Sequence, residues 1–370
     1  MIKCGKPKEL VKIMRKLNIA IIGFGRSGCD IHGRFLRSAE NDICNVKYVV
    51  EADPARAAAA REIFGCETLE DYRELYDHVE ELDFVTNTSY SDLHYPITKD
   101  LMEHGFHVLC EKPLCRTTDM VQDLIDTAKA NNVLFTVFHQ YRFNDYYVQM
   151  KRLLKAGVIG EVKLIRGTQS GFLRRYDWQT LQSRDAGAMR NNAAHYIEMI
   201  MDLAESDELP KITSYLDIWN SVGDAEDYMF ARFHYAKGPV CEIEVNPADA
   251  FNGEQPIFKI FGTKGTMKVY NDKICYKSCG DAPAPVLDPN PLHKADGTPA
   301  YCDNKLEWQE TEVTLDADVW NVFSGCTDRF YHSWYETLVN GGELFIKPEH
   351  IKAQIAIFQE IQSQNPQLYK

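Results

Sequence analysis

The chain has 370 residues, enough for about two domains, and 45% hydrophobic with 26% charged residues is the balance of an ordinary globular protein. Its 54 acidic residues against 41 Lys and Arg leave a formal charge of -13, which repels phosphate backbones and argues against nucleic acid as a partner. No apolar run approaches the roughly 20 residues that span a bilayer, so no membrane partner is expected.

Residues 1–16 form a basic, helix-prone leader. It has no apolar stretch followed by a small-residue cleavage site, so the expected location is cytoplasmic. Leu17–Ile22 is a short apolar run closed by Gly23, the pattern of a strand buried on both faces. A helix is predicted over Ser27–Ser38, a second strand over Val46–Glu51 and an Ala-rich helix over Pro54–Phe64. Further strands follow at Leu82–Asn87, Gly105–Cys110 and Leu134–His139, with helices at His94–His104 and Thr118–Asn131. Strands alternating with helices at this spacing make βαβ units and a parallel sheet. The fold class is therefore α/β, with an N-terminal Rossmann domain over 17–140.

Beyond residue 140 the pattern changes. A helix at Tyr146–Ala156 precedes strand-like runs at Val162–Thr168, Ile212–Ile218, Tyr228–Tyr235, Val240–Val245, Pro256–Phe261 and Thr266–Val269. Turns join most of them, which suits an open, mainly antiparallel sheet with helices on one face. Residues 277–310 read as a long Pro/Gly/Asp/Asn-rich loop, and Trp320–Val339 and Pro348–Ser363 as closing helices. This second, α+β domain spans 141–370, and its final helices have the option of packing back on the first domain. The 11 cysteines are scattered, and the closest pairs, Cys110/Cys115 and Cys275/Cys279, lack C-x-x-C spacing. Neither a zinc site nor a disulfide framework is expected; most should be buried thiols.

Gly23-Phe24-Gly25-Arg26-Ser27-Gly28 follows a strand and opens a helix. The first glycine permits a tight turn, the second admits a pyrophosphate close to the backbone, and the third packs helix on strand. Glu51 ends the second strand, with Asp53 two residues on. A carboxylate there accepts from the adenosine ribose hydroxyls and repels a 2′-phosphate, so NAD is favoured over NADP. Gln140 and Arg142 follow the fifth strand at its carboxyl end, where such sheets bind ligands. Gln140 is a cofactor candidate. Arg142 either lines the substrate pocket or ties the two domains together. Tyr176 and Trp178 sit beside Asp177, either as a platform for a sugar ring or as aromatic anchors.

Cys110-Glu111-Lys112-Pro113-Leu114 resembles the Gfo/Idh/MocA oxidoreductase family, which carries Glu-Lys-Pro after the fourth Rossmann strand. Other segments match in order: Thr86-Asn87-Thr88 with His94, Gly160-Glu161-Val162, Gly187 to His195, Asp224-Ala225-Glu226-Asp227 and Ile260 to Gly265. The resemblance covers about residues 17–365 and implies several expectations. Thr86, Asn87, Thr88, His94 and Glu111 lie along the cofactor. Lys112 polarises a substrate oxygen, and the Lys112–Pro113 bond is cis. His195 removes the hydroxyl proton. The family's usual Asp four residues before this His is Asn191 here, and its glycine just before is replaced at Ala193. Asn191 can hydrogen-bond a substrate hydroxyl but cannot be a base. The implied activity is hydride transfer between NAD and a secondary hydroxyl of a sugar, glycoside or cyclitol, in a homo-oligomer (dimer or tetramer). The alternatives are an NAD-dependent glycosidase working by transient oxidation and elimination, and a cofactor-binding regulator without catalysis.

Overall fold

The structure, a computed structural model, describes residues 15–206, 208–283, 286–302, 306–315 and 325–369. The leader therefore lies almost wholly outside the described residues. The chain divides into two compact units, both discontinuous. The first takes the chain up to Leu114, Asp119–Phe138 and Thr327–Pro348. The second takes Cys115–Thr118, His139–Cys326 and the chain from Glu349.

The first unit is built on a six-stranded sheet in the order β3-β2-β1-β4-β5-β6. The strands are β1 (Leu17–Ile22), β2 (Cys44–Val50), β3 (Glu67–Leu69), β4 (Phe84–Asn87), β5 (Val108–Cys110) and β6 (Phe135–Val137), and every pair is parallel. This is the doubly wound order that places ligands at the strands' carboxyl ends. Leu17, Ile19, Ala20 and Ile21 are all buried, as a strand covered on both faces requires. The helix expected over Ser27–Ser38 forms, with Ser27–His32 in the wider π geometry, in which the Gly33 N–H donates to Gly28 O, and α1 (Gly33–Leu36) as its last turn. These close approaches need glycine: a Cβ on Gly33 would lie 2.7 Å from Gly28 O, and one on Gly28 2.1 Å from Gly23 O. The edge strand β3 was not expected; three half-polar residues carry no readable period. Helices α2 (Pro54–Phe64), α3 (His94–Glu103) and α4 (Thr118–Ala130) alternate with the strands. Helix α7 (Gly325–Asn340) completes the unit. Its Tyr331 and Trp334 are buried among Phe35, Phe84 and Phe138. The first residues of the expected helix 320–339 fall outside the described residues.

The second unit holds an eight-stranded sheet in the order β14-β13-β12-β11-β7-β10-β9-β8. Its strands are β7 (Val162–Ser170), β8 (Lys211–Asp217), β9 (Tyr228–His234), β10 (Val240–Asn246), β11 (Phe258–Gly262), β12 (Gly265–Val269), β13 (Lys273–Ser278) and β14 (Gln309–Thr314). Neighbours are antiparallel except β7 and β10, which run parallel. Ile165, Phe258, Ile243, Phe233 and Met229 form the buried face. The unit's helices are α5 (Asp145–Lys155), α6 (Ala194–Ala204) and α8 (Pro348–Ser363). Gly167 leaves room for Phe258 and Tyr196, which would sit 3.2 and 3.4 Å from a Cβ. The expected loop over 277–310 is bounded by β13 and β14, whose Ser278–Gln309 pairing closes its base. The exposed Glu/Thr alternation of β14 offers no apolar face to betray a strand. Among the described residues, no helix is long and apolar enough to cross a membrane, and no group of three or more His, Cys, Asp or Glu could hold a metal ion. Cys44, Cys66, Cys110, Cys115, Cys241 and Cys326 are buried, and burial pushes the thiols of Cys115 and Cys241 up to about 12.

Candidate active site

In the first unit the glycine loop leaves β1. Gly23 adopts φ +86°, and a Cβ there would lie 2.9 Å from Thr88 O. Gly25 differs: it is exposed, and a Cβ on it would meet nothing within 4 Å. The loop is thus locked by its outer glycines and open at its middle one, the shape a pyrophosphate needs. Arg26 is exposed, Ser27 is half-buried at the start of the turn, and Phe24 is buried edge-on to Phe64.

Glu51 is buried rather than solvated. Its Oε2 accepts from the Phe24 N–H at 2.9 Å, which ties the glycine loop to the end of β2. Its Oε1 accepts from the Asp53 N–H at 2.9 Å and from Arg56 Nη2 at 2.8 Å. Burial pushes this carboxyl up, but Arg56 and the two backbone N–H groups outweigh it and hold it below the usual range. Asp53 has another task. Its Oδ1 accepts from the Ala55 and Arg56 N–H groups, so it caps α2, with Pro54 at the first helical position.

The β4 segment is wired into the backbone. Thr88 Oγ1 donates to Ile22 O and Gly23 O, and Asn87 Nδ2 to His94 O and Thr98 Oγ1. Thr86 Oγ1 lies 3.4 Å from the Tyr331 hydroxyl. Both ring nitrogens of the buried His94 face carbonyls, Pro113 O at 2.7 Å and Ser89 O at 3.1 Å. Burial lowers its pKa against the opposing pull of the two carbonyls, and the ring bridges the Lys112–Pro113 turn to the loop at Ser89. These four side chains brace the loops around the site. The Lys112–Pro113 bond is cis.

Beneath Lys112 lies a buried relay. Glu111 Oε1 is 3.2 Å from His32 Nε2, and His32 Nδ1 is 2.8 Å from the Tyr331 hydroxyl. A carboxylate only accepts, so His32 Nε2 donates to Glu111. Burial raises the Glu111 carboxyl, but His32, Lys112 and His94 outweigh it and hold it at about 2. Glu111 Oε2 accepts from the Lys112 N–H at 3.1 Å. Glu111 therefore anchors the turn that carries the half-buried Lys112.

In the second unit His195 stacks on Tyr141, ring centroids 4.1 Å apart, and meets His139 edge-on at 6.0 Å. Gln140 is buried, and its Oε1 has no hydrogen-bond partner, an acceptor that suits a bound ligand's donor. Arg142 is held by two carboxylates. Its guanidinium lies 2.7 Å from both Glu198 and Asp202 on α6, because a buried cation needs carboxylates around it. It staples the segment after β6 to α6 within the second unit.

A cavity of about 140 Å³ opens in the second unit, and Asn191 lines it. Asn191 Oδ1 accepts from Gln179 Nε2 at 3.3 Å. Gln179 Oε1 accepts from Arg175, which also pairs with Asp177 at 2.6 Å. Gln169, Ser170 and Asn246 enter from the ends of β7 and β10. The parallel pairing of these strands sets Gln169 beside Val245 and Ser170 beside Asn246, so both carboxyl ends reach the same edge. Gln169 Oε1 is buried without a hydrogen-bond partner. Asn192, Ser221, Glu226 and Asp227 complete the polar wall. The aromatic pair expected here stands aside: Tyr176 is 87% exposed, and neither it nor Trp178 lines the cavity. The sequence reading missed Arg175 and Gln179, which flank those aromatics. Polar residues ending two apolar strands were the signal available for Gln169 and Asn246.

Residues 17–139 match the family described as "Oxidoreductase family, NAD-binding Rossmann fold", and residues 147–268 match the "GFO/IDH/MocA C-terminal domain". Levoglucosan dehydrogenase of Pseudarthrobacter phenanthrenivorans is 26% identical over 258 residues, 61% of this chain and 64% of that protein, so the match spans less than two thirds of the relative. The 2,7-anhydro-N-acetylneuraminate hydratase of Mediterraneibacter gnavus is 22% identical over 261 residues, 69% of this chain and 68% of that one. A solved levoglucosan dehydrogenase in complex with NADH and levoglucosan superposes with a TM-score of 0.75 at 21% identity, covering 96% of this chain and 98% of that one, a likeness of fold. With the open glycine loop, the doubly wound sheet and the two matched segments together, the chain belongs to the Gfo/Idh/MocA oxidoreductase family, and its first unit is an NAD(P)-binding Rossmann domain.

Proposed function

We propose that the protein is an NAD-dependent dehydrogenase acting on a secondary hydroxyl of a sugar, glycoside or cyclitol. The observation that carries this reading is the cavity beside Asn191. Its amide and hydroxyl lining, with a buried unpartnered acceptor on Gln169, is the chemistry that binds a polyhydroxylated ligand. Bound nicotinamide supplies the hydride acceptor or donor. The chain's own residues do the rest. Asn191 hydrogen-bonds a substrate hydroxyl. His195, one helical turn on, takes the proton of the reacting hydroxyl. Lys112 steadies charge developing on that oxygen, with Glu111 and His32 fixing the turn that carries it. The levoglucosan-oxidising relative supports an anhydro sugar as a first substrate to try.

Incubation with NAD and a panel of free hexoses, anhydro sugars, cyclitols and aryl glycosides tests the proposal by absorbance of the reduced cofactor. At least one member should reduce NAD. The relative named as a hydratase supports a second reading, in which oxidation is transient and the cofactor is recycled in place. That reading predicts altered sugar or released aglycone with retained cofactor and no net NADH. A panel giving neither NADH nor product overturns both.

A further inference from the structure

Gly187 stands at the entry to the helix carrying Asn191 and His195, with φ +112°. The backbone conformation already favours glycine here, and a Cβ would in addition lie 2.4 Å from Glu226 Oε1. The missing side chain admits the Glu226 carboxyl group to the helix start. There Oε1 accepts from the Met189 N–H at 3.0 Å, and Glu226 O accepts from the Ala188 N–H at 2.7 Å. The other carboxyl oxygen accepts from the Tyr369 hydroxyl at 2.5 Å. Tyr369 is itself tethered, since Gln182 Nε2 donates to Leu368 O at 2.8 Å. The Gln182 N–H also donates to Asp224 Oδ1 at 2.8 Å, two residues before Glu226. Glu226 is 2% exposed yet lines the cavity, and Asn191 N–H donates to Gly187 O at 2.9 Å in the same turn.

We infer that Glu226, held by Tyr369, is the positioning residue that fixes the first turn of this helix and thereby the placement of Asn191 against substrate. A buried acid is an expensive way to fill space, and an apolar side chain of similar size would pack at least as stably. What the acid adds is direction: two acceptors at a fixed angle, one for a helix N–H and one for Tyr369. Burial, the largest influence on Glu226, pushes its carboxyl up, and the hydrogen bonds from Tyr369 and Met189 oppose this.

The inference rests on the proposed dehydrogenase reading, and the test separates the two. Tyr369→Phe removes only the hydroxyl. It should lower kcat/KM for the polyol that wild type oxidises by about tenfold, as misplacement of a binding group does, with KM for NAD unchanged. Glu226→Gln keeps an acceptor for Met189 and a partner for Tyr369, so it should restore most activity; Glu226→Leu should not. Independently of turnover, hydrogen exchange of the Met189 and Asn191 amides in the NAD-saturated enzyme should accelerate in Tyr369→Phe and Glu226→Leu but not in Glu226→Gln. Unchanged exchange in both variants overturns the inference, whatever the panel shows. A panel without turnover alongside accelerated exchange overturns the dehydrogenase reading and leaves the positioning role standing.

Discussion

Glu51→Gln tests the proposed preference of the first unit for NAD over NADP. In the wild type the Glu51 carboxylate already accepts three hydrogen bonds, from the Phe24 and Asp53 N–H groups and from Arg56. A carboxylate offers about four lone-pair sites, so one remains for an adenosine ribose hydroxyl. A hydrogen bond to a charged acceptor contributes about 1.5–3 kcal/mol, or roughly tenfold to a hundredfold in affinity. The Arg56 side chain is 51% exposed, so solvent screens its charge and places the expected effect at the lower end. Glutamine keeps an acceptor for Phe24 but loses the charge, and it frees Arg56 toward a 2′-phosphate. NAD should therefore bind about tenfold more weakly and NADP more tightly. Arg56→Ala is the control: it leaves Glu51 less compensated, so NADP should weaken while NAD changes little. Titration of both nucleotides against intrinsic fluorescence reads these constants. If Glu51→Gln leaves the NAD to NADP ratio unchanged, the ribose does not contact Glu51 and the assignment fails.

Three further outcomes are expected. His195→Ala should lower kcat by about 10²–10⁴-fold with NAD affinity intact, and full turnover in that variant would remove His195 as the base. Gly25→Ala should fold normally but lose cofactor affinity, whereas Gly28→Ala should be destabilised, because its Cβ would strike Gly23 O at 2.1 Å; equal melting temperatures would contradict the loop geometry. His332 is raised from the ordinary value of 6.5 to about 9, chiefly by its hydrogen bond with Asp328, with Asp42 adding charge. Its folded-state pKa lies above the unfolded one, so its stabilisation is complete below pH 6.5 and fades as pH rises through about 9. Urea midpoints measured across that window should fall in wild type and fall less in His332→Gln.

The Rossmann half was legible because its strands are buried on both faces and read as unbroken apolar runs ended by glycine or charge. What stayed hidden was short or polar: β3 is three residues long, β13 (Lys-Ile-Cys-Tyr-Lys-Ser) is flanked by lysines, and β14 is an exposed Glu/Thr strand. The site divided the same way. Gly23 and Gly28 sit where a Cβ would strike backbone, and Gly25 completes the spacing of a dinucleotide loop, so sequence finds them. The functions of Asp53 and Arg142 could not be read, because a carboxylate or guanidinium looks alike in sequence whether it caps a helix, staples α6 or holds ligand. Only the partners, Ala55 and Arg56 for the one and Glu198 and Asp202 for the other, tell these apart. Gln169 and Asn246 were missed because it takes the parallel β7–β10 pairing to bring residues so distant in the chain to one edge.

The Rossmann unit is not finished by the stretch of chain that encodes its sheet. Tyr331 reaches His32 across 299 residues and Thr86 across 245, and Ile346 accepts from Thr136 across 210. During synthesis the six strands emerge long before the helix that covers Phe35, Phe84 and Phe138. The nascent nucleotide unit must wait, with that apolar surface bare, while the whole second sheet is made. Contacts this distant slow folding and leave open states prone to association. A fragment cut after β6 should therefore behave as a sticky intermediate, not as a free-standing domain. Maturation of the cofactor site becomes a late event in the life of the chain, timed by the arrival of α7.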